Sequence, residues 1–279
     1  MPKTWFITGS SRGFGREIAK AALERGHRVV ATARDPQQLQ DLVESHHSQV
    51  LALALDVTDP KAAKEAVESA VAHCGSLDVV VNNAGYADSA PIEEMTDESF
   101  RRQIETNLFG VVNVTRAVLP YFHRQRSGHF LQFSSIGGRV GGTPGMGAYQ
   151  AAKFAVEGFS EVLNAEVKPL GITVTIIEPG GFRTDWGGSS MHKPAVGADY
   201  DETVGAANRF RESTVATWRG DPRRAAHIIL DVADLDEPPL RLLLGAGAVE
   251  SADRSSRERA AEAEHWAEVS RSADFPAGE

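Results

Sequence analysis

An α/β fold, in which helices cover both faces of a parallel sheet, is the fold class that the sequence predicts. Strand-like and helix-like segments alternate along most of the 279 residues, and such alternation is typical of a parallel sheet. Runs such as Val79-Val80-Val81 and Val174-Thr175-Ile176-Ile177 are rich in β-branched residues, as strands buried on both faces are. The predicted strands, about seven in number, span residues 3–8, 28–33, 49–55, 77–82, 128–134, 172–177 and 240–244.

Glycine and proline set the boundaries of several segments between these strands. The first helix is predicted over residues 14–25, because Gly26 is a suitable C-terminal cap. Residues 180–219 show a looser pattern, since Gly187-Gly188-Ser189-Ser190 and Lys193-Pro194 interrupt any regular element. We therefore predict a loop region there.

The end of the chain differs in character from the rest. From Ser251 to Ser272 it is charged and rich in alanine, which predicts an appended surface helix with few apolar contacts. This segment is either a structural, partly frayed tail or a helix that Trp266 docks on the core or on a second subunit. We predict one domain over residues 1–247 and a helical tail over residues 248–279.

Composition narrows the classes of partner and location. The hydrophobic content of 42% is ample for a buried core, and the formal net charge of −9 disfavours nucleic acids and anionic membranes as partners. No apolar run approaches the ~18 residues that a membrane span needs. With Cys74 as the single cysteine and no apolar signal segment, we expect a cytoplasmic protein without an internal disulfide.

A glycine-rich turn follows the first predicted strand. The strand Thr4-Trp5-Phe6-Ile7 leads into Thr8-Gly9-Ser10-Ser11-Arg12-Gly13-Phe14-Gly15 and then into an amphipathic helix. Side chains at such a turn would keep a phosphate from the backbone N–H groups, and the helix adds its positive dipole end. The spacing is Gly-x-x-x-Gly-x-Gly rather than Gly-x-Gly-x-x-Gly, so only the general dinucleotide argument applies; a tight turn without a ligand is the alternative.

Tyr149 and Lys153 lie four residues apart in a helix-like segment, so a phenol and an ammonium share one face. A free tyrosine titrates near pH ~10, and bringing it to neutrality takes about 4 kcal/mol of differential stabilisation of the phenolate. A neighbouring cation can supply much of this stabilisation. Taken alone the spacing is a weak signal, because many helices carry such a pair by chance.

In their order along the chain, the glycine turn, the turn Asn82-Asn83-Ala84-Gly85 and the Tyr149-x-x-x-Lys153 pair resemble the short-chain dehydrogenase/reductase family. The resemblance is to its single-domain branch and extends over roughly residues 3–245. It implies a Rossmann-like, doubly wound parallel sheet and an enzyme that transfers a hydride between a nicotinamide cofactor and a carbonyl or alcohol. Such relatives form dimers or tetramers through the helix that carries the Tyr-Lys pair.

The resemblance assigns catalytic roles to four residues. Tyr149 would donate the proton to the carbonyl oxygen, Lys153 would lower the pKa of Tyr149 and bind the nicotinamide ribose, and Ser135 would position the carbonyl. Asn107 would anchor a water that links Lys153 to solvent; a purely structural helix asparagine is the alternative. Ser135 precedes Tyr149 by fourteen residues, one more than the commonest family spacing, so Ser134 remains the fallback.

The resemblance also predicts the residues that surround the ligands. The expected cofactor contacts, besides Tyr149 and Lys153, are Gly9, Ser11, Arg12, Gly13, Phe14, Gly15, Arg34, Asp56, Val57, Asn83, Ala84, Gly85, Pro179, Gly180 and Thr184. The expected substrate contacts are Tyr86, Met146, Trp186 and Met191, which favour an apolar ligand such as a steroid, retinoid, polyketide or aromatic ketone, or else are core packing.

Charge near the end of the second strand bears on the choice between NADP and NAD. Enzymes that use NAD place a carboxylate there, whereas Ala33 followed by Arg34 stands at the matching position. Arg12, beside Gly13, offers a second guanidinium for a phosphate. We therefore predict a preference for NADP(H), with NAD(H) possible because Asp35 would occupy the position after a small shift of register.

Other functions have weaker support in the sequence. No grouping of the nine histidines has metal-ligand spacing, so no metal is expected, and Gly187-Gly188-Ser189-Ser190 does not fit the hydrolase pattern Gly-x-Ser-x-Gly. Glu93-Glu94 reads as a solvated loop edge rather than a catalytic pair. Two alternatives to a carbonyl reductase or alcohol dehydrogenase remain: an epimerase or dehydratase that uses the same Tyr and Lys, and a nonenzymatic NADP sensor or scaffold.

Overall fold

The computed structural model describes residues 2–187 and 191–275, and a single parallel sheet organises this part of the chain. In spatial order its strands are β3-β2-β1-β4-β5-β6-β7, which confirms the predicted seven-stranded, doubly wound sheet. Their bounds are β1 (Thr4–Ile7), β2 (Arg28–Ala33), β3 (Val50–Ala54), β4 (Val79–Asn82), β5 (Gly128–Phe133), β6 (Ile172–Pro179) and β7 (Arg241–Leu244).

Helices connect the strands and cover both faces of the sheet. They are α1 (Gly13–Glu24), α2 (Gln40–His46), α3 (Pro60–Cys74), α4 (Asp97–Ile104), α5 (Gly110–Gln125), α6 (Ile136–Arg139), α7 (Gly147–Val167), α8 (Ala206–Thr214), α9 (Pro222–Ala233), α10 (Ala246–His265) and α11 (Ala267–Arg271). The local sequence explains where several of these helices begin. Asp59, for example, accepts hydrogen bonds from the N–H groups of Lys61 (2.8 Å) and Ala62 (3.2 Å), and Pro60 occupies the first helical position.

Two apolar layers flank the sheet because side chains alternate between its faces. In β1, Trp5 and Ile7 pack on one side in a core that includes Ile18 of α1 and residues of α9. Phe6 points the other way, into a core that includes Val67 of α3 and residues of α5 and α7. Burial on both faces explains why the central strands contain few polar residues.

The strand order reverses between β1 and β4, and this reversal determines where a ligand can bind. In open parallel sheets, ligands bind in the crevice where neighbouring connections diverge to opposite faces. The turns that follow β1, β4, β5 and β6 all lie at the carboxyl edge of the sheet beside this crevice. They carry the glycine loop, Asn83, Ser135 and Gly180, so segments far apart in sequence meet there.

Two helical segments differ from the sequence-based expectation. The C-terminal helix α10 begins at Ala246, inside the predicted domain and before Ser251, because Ala248 and Ala252 are buried against the core. Within residues 180–219, α8 is a regular helix that follows a π-helical turn, Asp201–Gly205. Its sequence is polar and begins without a capping side chain, so it carries little helix signal.

Other predictions for these two segments concern Trp266, the surface helix and the break at Gly187-Gly188-Ser189-Ser190. Trp266 is 54% exposed where α10 ends, and the surface helix is confirmed. The predicted break at Gly187-Gly188-Ser189-Ser190 lies outside the described residues except for Gly187. Among the residues that the structure describes, no helix combines the length and the apolar character that a membrane span requires.

Candidate active site

The glycine loop packs directly on the turn that follows β4. Gly9 and Gly13 have φ values of +68° and +58°, a region that favours glycine. A Cβ on Gly9 would lie 3.0 Å from the Cα of Ala84, and one on Gly15 would lie 2.3 Å from the carbonyl oxygen of Gly9. The Asn83 side-chain amide donates to the carbonyl oxygens of Thr8 (2.9 Å) and Gly9 (3.2 Å), which holds the two turns together.

A cavity of about 970 Å³ runs from this loop along the carboxyl edge of the sheet. All the predicted cofactor contacts line it except Gly15, which is buried beneath the loop in the contacts just described. The N-terminus of α1 opens on the cavity, and its N-cap residue Arg12 makes no side-chain cap. Because a Cβ would fill the cradle and the helix end can accept a negative charge, the residues present fit a dinucleotide diphosphate.

Tyr149 and Lys153 lie on α7 at the inner part of the same cavity. Both are buried, with exposed fractions of 6% and 4%. The Lys153 ammonium donates a hydrogen bond of 2.8 Å to the carbonyl oxygen of Phe133 and lies 5.8 Å from the centroid of the Tyr149 ring. The helix spacing therefore places the phenol and the ammonium together in the cavity, as the sequence predicts.

Burial controls the protonation of this pair. It raises the pKa of Tyr149 to about 12, while interaction with the Ser135 side chain lowers that pKa. It also lowers the pKa of Lys153 to about 8, opposed by the negative charge of Glu157. Removal of the phenol from water therefore has the largest effect on the pKa of Tyr149, and its lowering by Lys153 stays a prediction.

The neighbouring serines Ser134 and Ser135 point to different surroundings. Ser135 lines the cavity beside Tyr149, and its hydroxyl accepts a hydrogen bond of 3.0 Å from the N–H of Gly137 as the N-cap of α6. Ser134 is buried, and its hydroxyl donates to the carbonyl oxygen of Lys153 at 3.4 Å. Of the two serines, Ser135 therefore has the position that a substrate-orienting hydroxyl needs.

Asn107 lies in a π-helical turn, Glu105–Phe109, between α4 and α5. Its amide donates to the carbonyl oxygens of Tyr86 (2.8 Å) and Gln103 (2.9 Å), and its oxygen accepts from the N–H of Tyr86 (3.2 Å). A Cβ on Gly85 would lie 2.5 Å from the Asn107 oxygen and 3.6 Å from the Lys153 nitrogen. Asn107 thus has the structural role that we considered, and its role in holding a water stays a prediction.

At the other end of the cavity, two arginines flank the space beyond β2. Arg34 follows the strand and Arg12 lies in the glycine loop; both are exposed and line the cavity. Among the described residues, neither guanidinium has a carboxylate within 4.0 Å. Asp35 is occupied as a cap, since its carboxylate accepts a hydrogen bond of 3.0 Å from the N–H of Gln37. Asp56 likewise accepts from the hydroxyl of Thr58 at 2.8 Å.

The four predicted substrate contacts divide into two pairs. Tyr86 and Trp186 line the cavity, and the rings of Trp186 and Tyr149 are 5.1 Å apart. Met146 and Met191 do not line the cavity; they are buried with Ala87 and Tyr149 in an apolar cluster against which Trp186 packs. Arg102, Phe182 and Trp218 are among the cavity residues that the sequence analysis did not predict, because no motif marks them.

Comparison with known proteins places this arrangement among characterised folds. The family model described as short chain dehydrogenase matches residues 3–195. Oxidoreductase BOA17 of Botryotinia fuckeliana is 49% identical over 97% of this chain and 98% of its own length. A 3-ketodihydrosphingosine reductase of Bacteroides thetaiotaomicron is 36% identical over 88% of both chains.

Solved structures give the same result. A short-chain dehydrogenase from Streptomyces avermitilis aligns with a TM-score of 0.92 and 39% identity, over 99% of this chain and 100% of its own. An alcohol dehydrogenase from Thermococcus sibiricus, solved in complex with 5-hydroxy-NADP, aligns with a TM-score of 0.72 and 26% identity, over 88% of this chain and 96% of its own.

Replacing Gly15 by alanine tests the cradle. The added Cβ would lie 2.3 Å from the Gly9 carbonyl oxygen and 2.5 Å from the Asn83 amide nitrogen, so the loop must shift. We expect NADPH to bind at least about 10-fold more weakly, a loss of ~1.4 kcal/mol, measured by quenching of protein fluorescence. Gly158→Ala on α7 is the matched control, because its Cβ would meet nothing within 4 Å. Equal affinities in the two variants would contradict the role of the cradle.

Proposed function

We propose that this chain, which belongs to the short-chain dehydrogenase family, is an oxidoreductase that transfers a hydride between NADP(H) and the carbonyl or secondary alcohol of an apolar small molecule. The observation that carries the proposal is the grouping of Tyr149, Lys153 and Ser135 in the cavity that begins at the glycine loop. An acid, its neighbouring cation and an orienting hydroxyl are what carbonyl reduction needs from the protein.

The residues divide the work between binding and proton transfer. A nicotinamide cofactor, when bound, supplies or accepts the hydride. The glycine loop and the N-terminus of α1 would hold its diphosphate. The Ser135 hydroxyl would hold the substrate oxygen beside the Tyr149 hydroxyl, which gives that oxygen its proton during reduction and regains one afterwards. The same Tyr149 oxygen accepts the proton when an alcohol is oxidised.

The protonation states suit reduction at neutral pH. Burial holds the phenol of Tyr149 in its protonated form, with a pKa raised to about 12, and this is the form that donates a proton. Lys153, with a pKa lowered to about 8, is charged at neutral pH and stabilises negative charge on the phenol oxygen as the proton leaves. The burial that makes Tyr149 a weak acid also keeps competing water away.

The preference for NADP(H) rests on the charges beyond β2. Arg34 and Arg12 line the cavity, and Ala33 stands where a carboxylate would repel a phosphate. Asp35, the nearest carboxylate in sequence, is engaged with the N–H of Gln37. Two guanidinium groups form stronger, charge-assisted hydrogen bonds to a ribose phosphate than to a ribose hydroxyl.

An apolar substrate is favoured by the aromatic rings in the wall of the cavity, of which Trp186 lies against Tyr149. Trp186, Trp218, Phe182 and Tyr86 line the cavity. Such walls bind a ligand through burial of apolar area, while a few polar groups set its orientation. The reductase of Bacteroides thetaiotaomicron, named for a 3-ketodihydrosphingosine, is consistent with a ketone on an apolar chain.

We further infer a homo-oligomer, a dimer or a tetramer, formed through α7 and its neighbours. Phe109 beside α5 and Val162 on α7 are 43% and 59% exposed, so each offers apolar surface that a second copy of the chain could cover. Phe154, on the same helix, is partly covered because the guanidinium of Arg259 on α10 lies 5.8 Å above its ring.

Tyr149→Phe tests the proposed chemistry. Phenylalanine preserves the packing against Trp186 and removes the proton donor, so we expect kcat for ketone reduction to fall at least about 100-fold. NADPH affinity should change less than about 3-fold, well under ~1.4 kcal/mol. The assay follows the absorbance of NADPH with a panel of apolar ketones, and Tyr121→Phe on α5 is the matched control.

The result also separates the alternatives. Unimpaired turnover by Tyr149→Phe would contradict the proposed mechanism. A wild-type protein that binds NADPH tightly but turns over no ketone would favour the nonenzymatic sensor, and conversion of a nucleotide sugar would favour the epimerase or dehydratase.

Arg34→Ala tests the choice of cofactor. Loss of one guanidinium should weaken NADPH at least about 10-fold and NADH less than about 3-fold, because the two cofactors differ by the ribose phosphate. Both dissociation constants are measured by fluorescence titration. Arg116→Ala removes an exposed arginine outside the cavity and should change neither. Equal losses for NADPH and NADH in Arg34→Ala would count against the preference.

A further inference from the structure

Five charged side chains form a cluster behind the catalytic lysine, on the side of α7 that faces β6 and β7. Three are carboxylates and two are arginines; we refer to them as the α7–β7 ion cluster, and they are Glu157, Glu161, Glu178, Arg139 and Arg241. The carboxylate of Glu178 is fully buried, and that of Glu157 is 9% exposed. No residue of this cluster belongs to the predicted catalytic set.

Arg241 at the start of β7 joins the three carboxylates. Its guanidinium lies 2.9 Å from Glu157, 2.6 Å from Glu161 and 3.1 Å from Glu178. Arg139 of α6 approaches Glu178 at 3.4 Å. Because these contacts come from four different elements, the cluster also connects the edge of the sheet to the helix that carries Tyr149.

The charges of the cluster do not cancel. Arg139 and Arg241 compensate two carboxylates, and Glu161 and Glu178 already supply two. Ionised Glu157 adds a third negative charge in a buried place, where an uncompensated charge is costly. The compensating charge is either a proton on Glu157 or the ammonium of Lys153.

The position of Glu157 suits compensation by Lys153. The two residues are one helical turn apart on the buried side of α7, and both are more than nine-tenths buried. One carboxylate oxygen of Glu157 contacts Arg241, while the other is buried without a hydrogen-bond partner among the described residues. Ser134, which contacts the backbone of Lys153, lies beside the Glu157 carboxylate as well.

We propose that Glu157 is a positioning residue that acts through Lys153: its buried carboxylate keeps the lysine ammonium charged and so sets the readiness of Tyr149 to release or accept a proton. The proposal rests on the proposed oxidoreductase function and deepens it. Glu157 touches neither the cavity that holds the ligands nor Tyr149, so its effect reaches the reaction only through the charge on Lys153.

Every charged group that faces Glu157 bears on its protonation. Burial is the largest cause that raises the pKa of Glu157 to about 7, and nearby Glu178 acts in the same direction, whereas the Ser134 hydroxyl and the Arg241 guanidinium act to lower the pKa. Lys153 and Glu161 face it from α7, and Arg139 lies beyond Glu178. A second cavity of about 400 Å³, which Arg259 of α10 also lines, opens on its outer side.

The sign of the effect follows from these neighbours. Ionised Glu157 raises the pKa of Lys153, which burial otherwise lowers to about 8. When Glu157 takes up a proton or is replaced by an amide, the pKa of Lys153 falls further. The ammonium of Lys153 then loses its proton at a lower pH. The Tyr149 phenolate then lacks its cation, so alcohol oxidation, which needs the phenolate, shifts to higher pH.

The test compares pH profiles of kcat for alcohol oxidation in the wild type and Glu157→Gln. We expect the rising limb to move up by roughly 0.5 to 1 pH unit, with kcat about 3- to 10-fold lower on that limb, since one pH unit corresponds to a tenfold change. KM and the NADP⁺ dissociation constant should change less than about 2-fold, under ~0.5 kcal/mol. Glu157→Asp, which preserves the charge, should restore most of the profile.

Glu161→Gln is the matched control. Glu161 contacts the same arginine but is half exposed, so its removal breaks an ion pair of the cluster without uncovering Lys153. The rising limb of the pH profile of Glu161→Gln should therefore stay at the wild-type pH. Ser134→Ala provides an independent variant that removes a single hydroxyl: the pKa of Glu157 should rise, and the limb should move in the same direction by a smaller amount.

The outcomes separate a charge effect from a structural one. Should Glu157→Gln and Ser134→Ala both leave the limb in place while lowering Tm or lowering kcat equally at all pH values, the proposal is overturned. If Glu157→Gln does not fold, the limb of Ser134→Ala decides. Tyrosinate absorbance of the NADP⁺ complex compares the titration of Tyr149 in the wild type and the variants without any turnover. An inactive wild type would therefore refute the proposed function and still leave this inference testable.

Discussion

The contact between the turn after β1 and the turn after β4 is the interaction on which the site depends. The Thr8 hydroxyl accepts hydrogen bonds from the N–H groups of Asn83 (2.9 Å) and Ala84 (3.0 Å), and the Asn83 side chain returns two to the glycine loop. This exchange holds the crevice open at the point where the strand order reverses. The two turns approach so closely that neither Gly9 nor Gly15 could carry a side chain. The absence of side chains thus allows the tight packing and also leaves the backbone open to a phosphate.

Burial is the second constraint, and it acts on the chemistry. Tyr149 and Lys153 are removed from water on the same helix, and burial moves their pKa values toward their neutral forms. Because burial keeps the phenol of Tyr149 protonated, the phenol is in the form that can donate a proton. Two groups counter burial: the charge of Glu157, which the sequence analysis did not predict, opposes it at Lys153, and the predicted Ser135 hydroxyl opposes it at Tyr149.

Local patterns were enough to predict the seven strands and the Tyr149–Lys153 helix. The strands are short β-branched runs and the pair has a spacing of one helical turn, so no knowledge of distant contacts is needed. The early start of α10 at Ala246 depends instead on burial of two alanines against distant segments, which a charged, alanine-rich sequence does not reveal. Helix α8 depends in the same way on its surroundings.

The candidate site shows the same division. The glycine loop, Ser135 and Arg34 are placed around one cavity as the motifs and the family resemblance imply. Met146 and Met191 lie in an apolar cluster with Tyr149 and not in the cavity wall, because which side of a loop faces the cavity depends on tertiary packing. The ion pairs of Arg241 with Glu157 and Glu178 span more than sixty residues of sequence, so no local spacing could have indicated them.

The most direct measurement is the pKa of Tyr149 itself, obtained from tyrosinate absorbance as the difference between the wild type and Tyr149→Phe, with and without NADP⁺. Our account predicts a pKa of about 12 in the free protein and a clear fall toward neutrality when the oxidised cofactor, whose nicotinamide ring is positively charged, binds. A pKa near the ordinary value in the free protein, unchanged by NADP⁺, would contradict it.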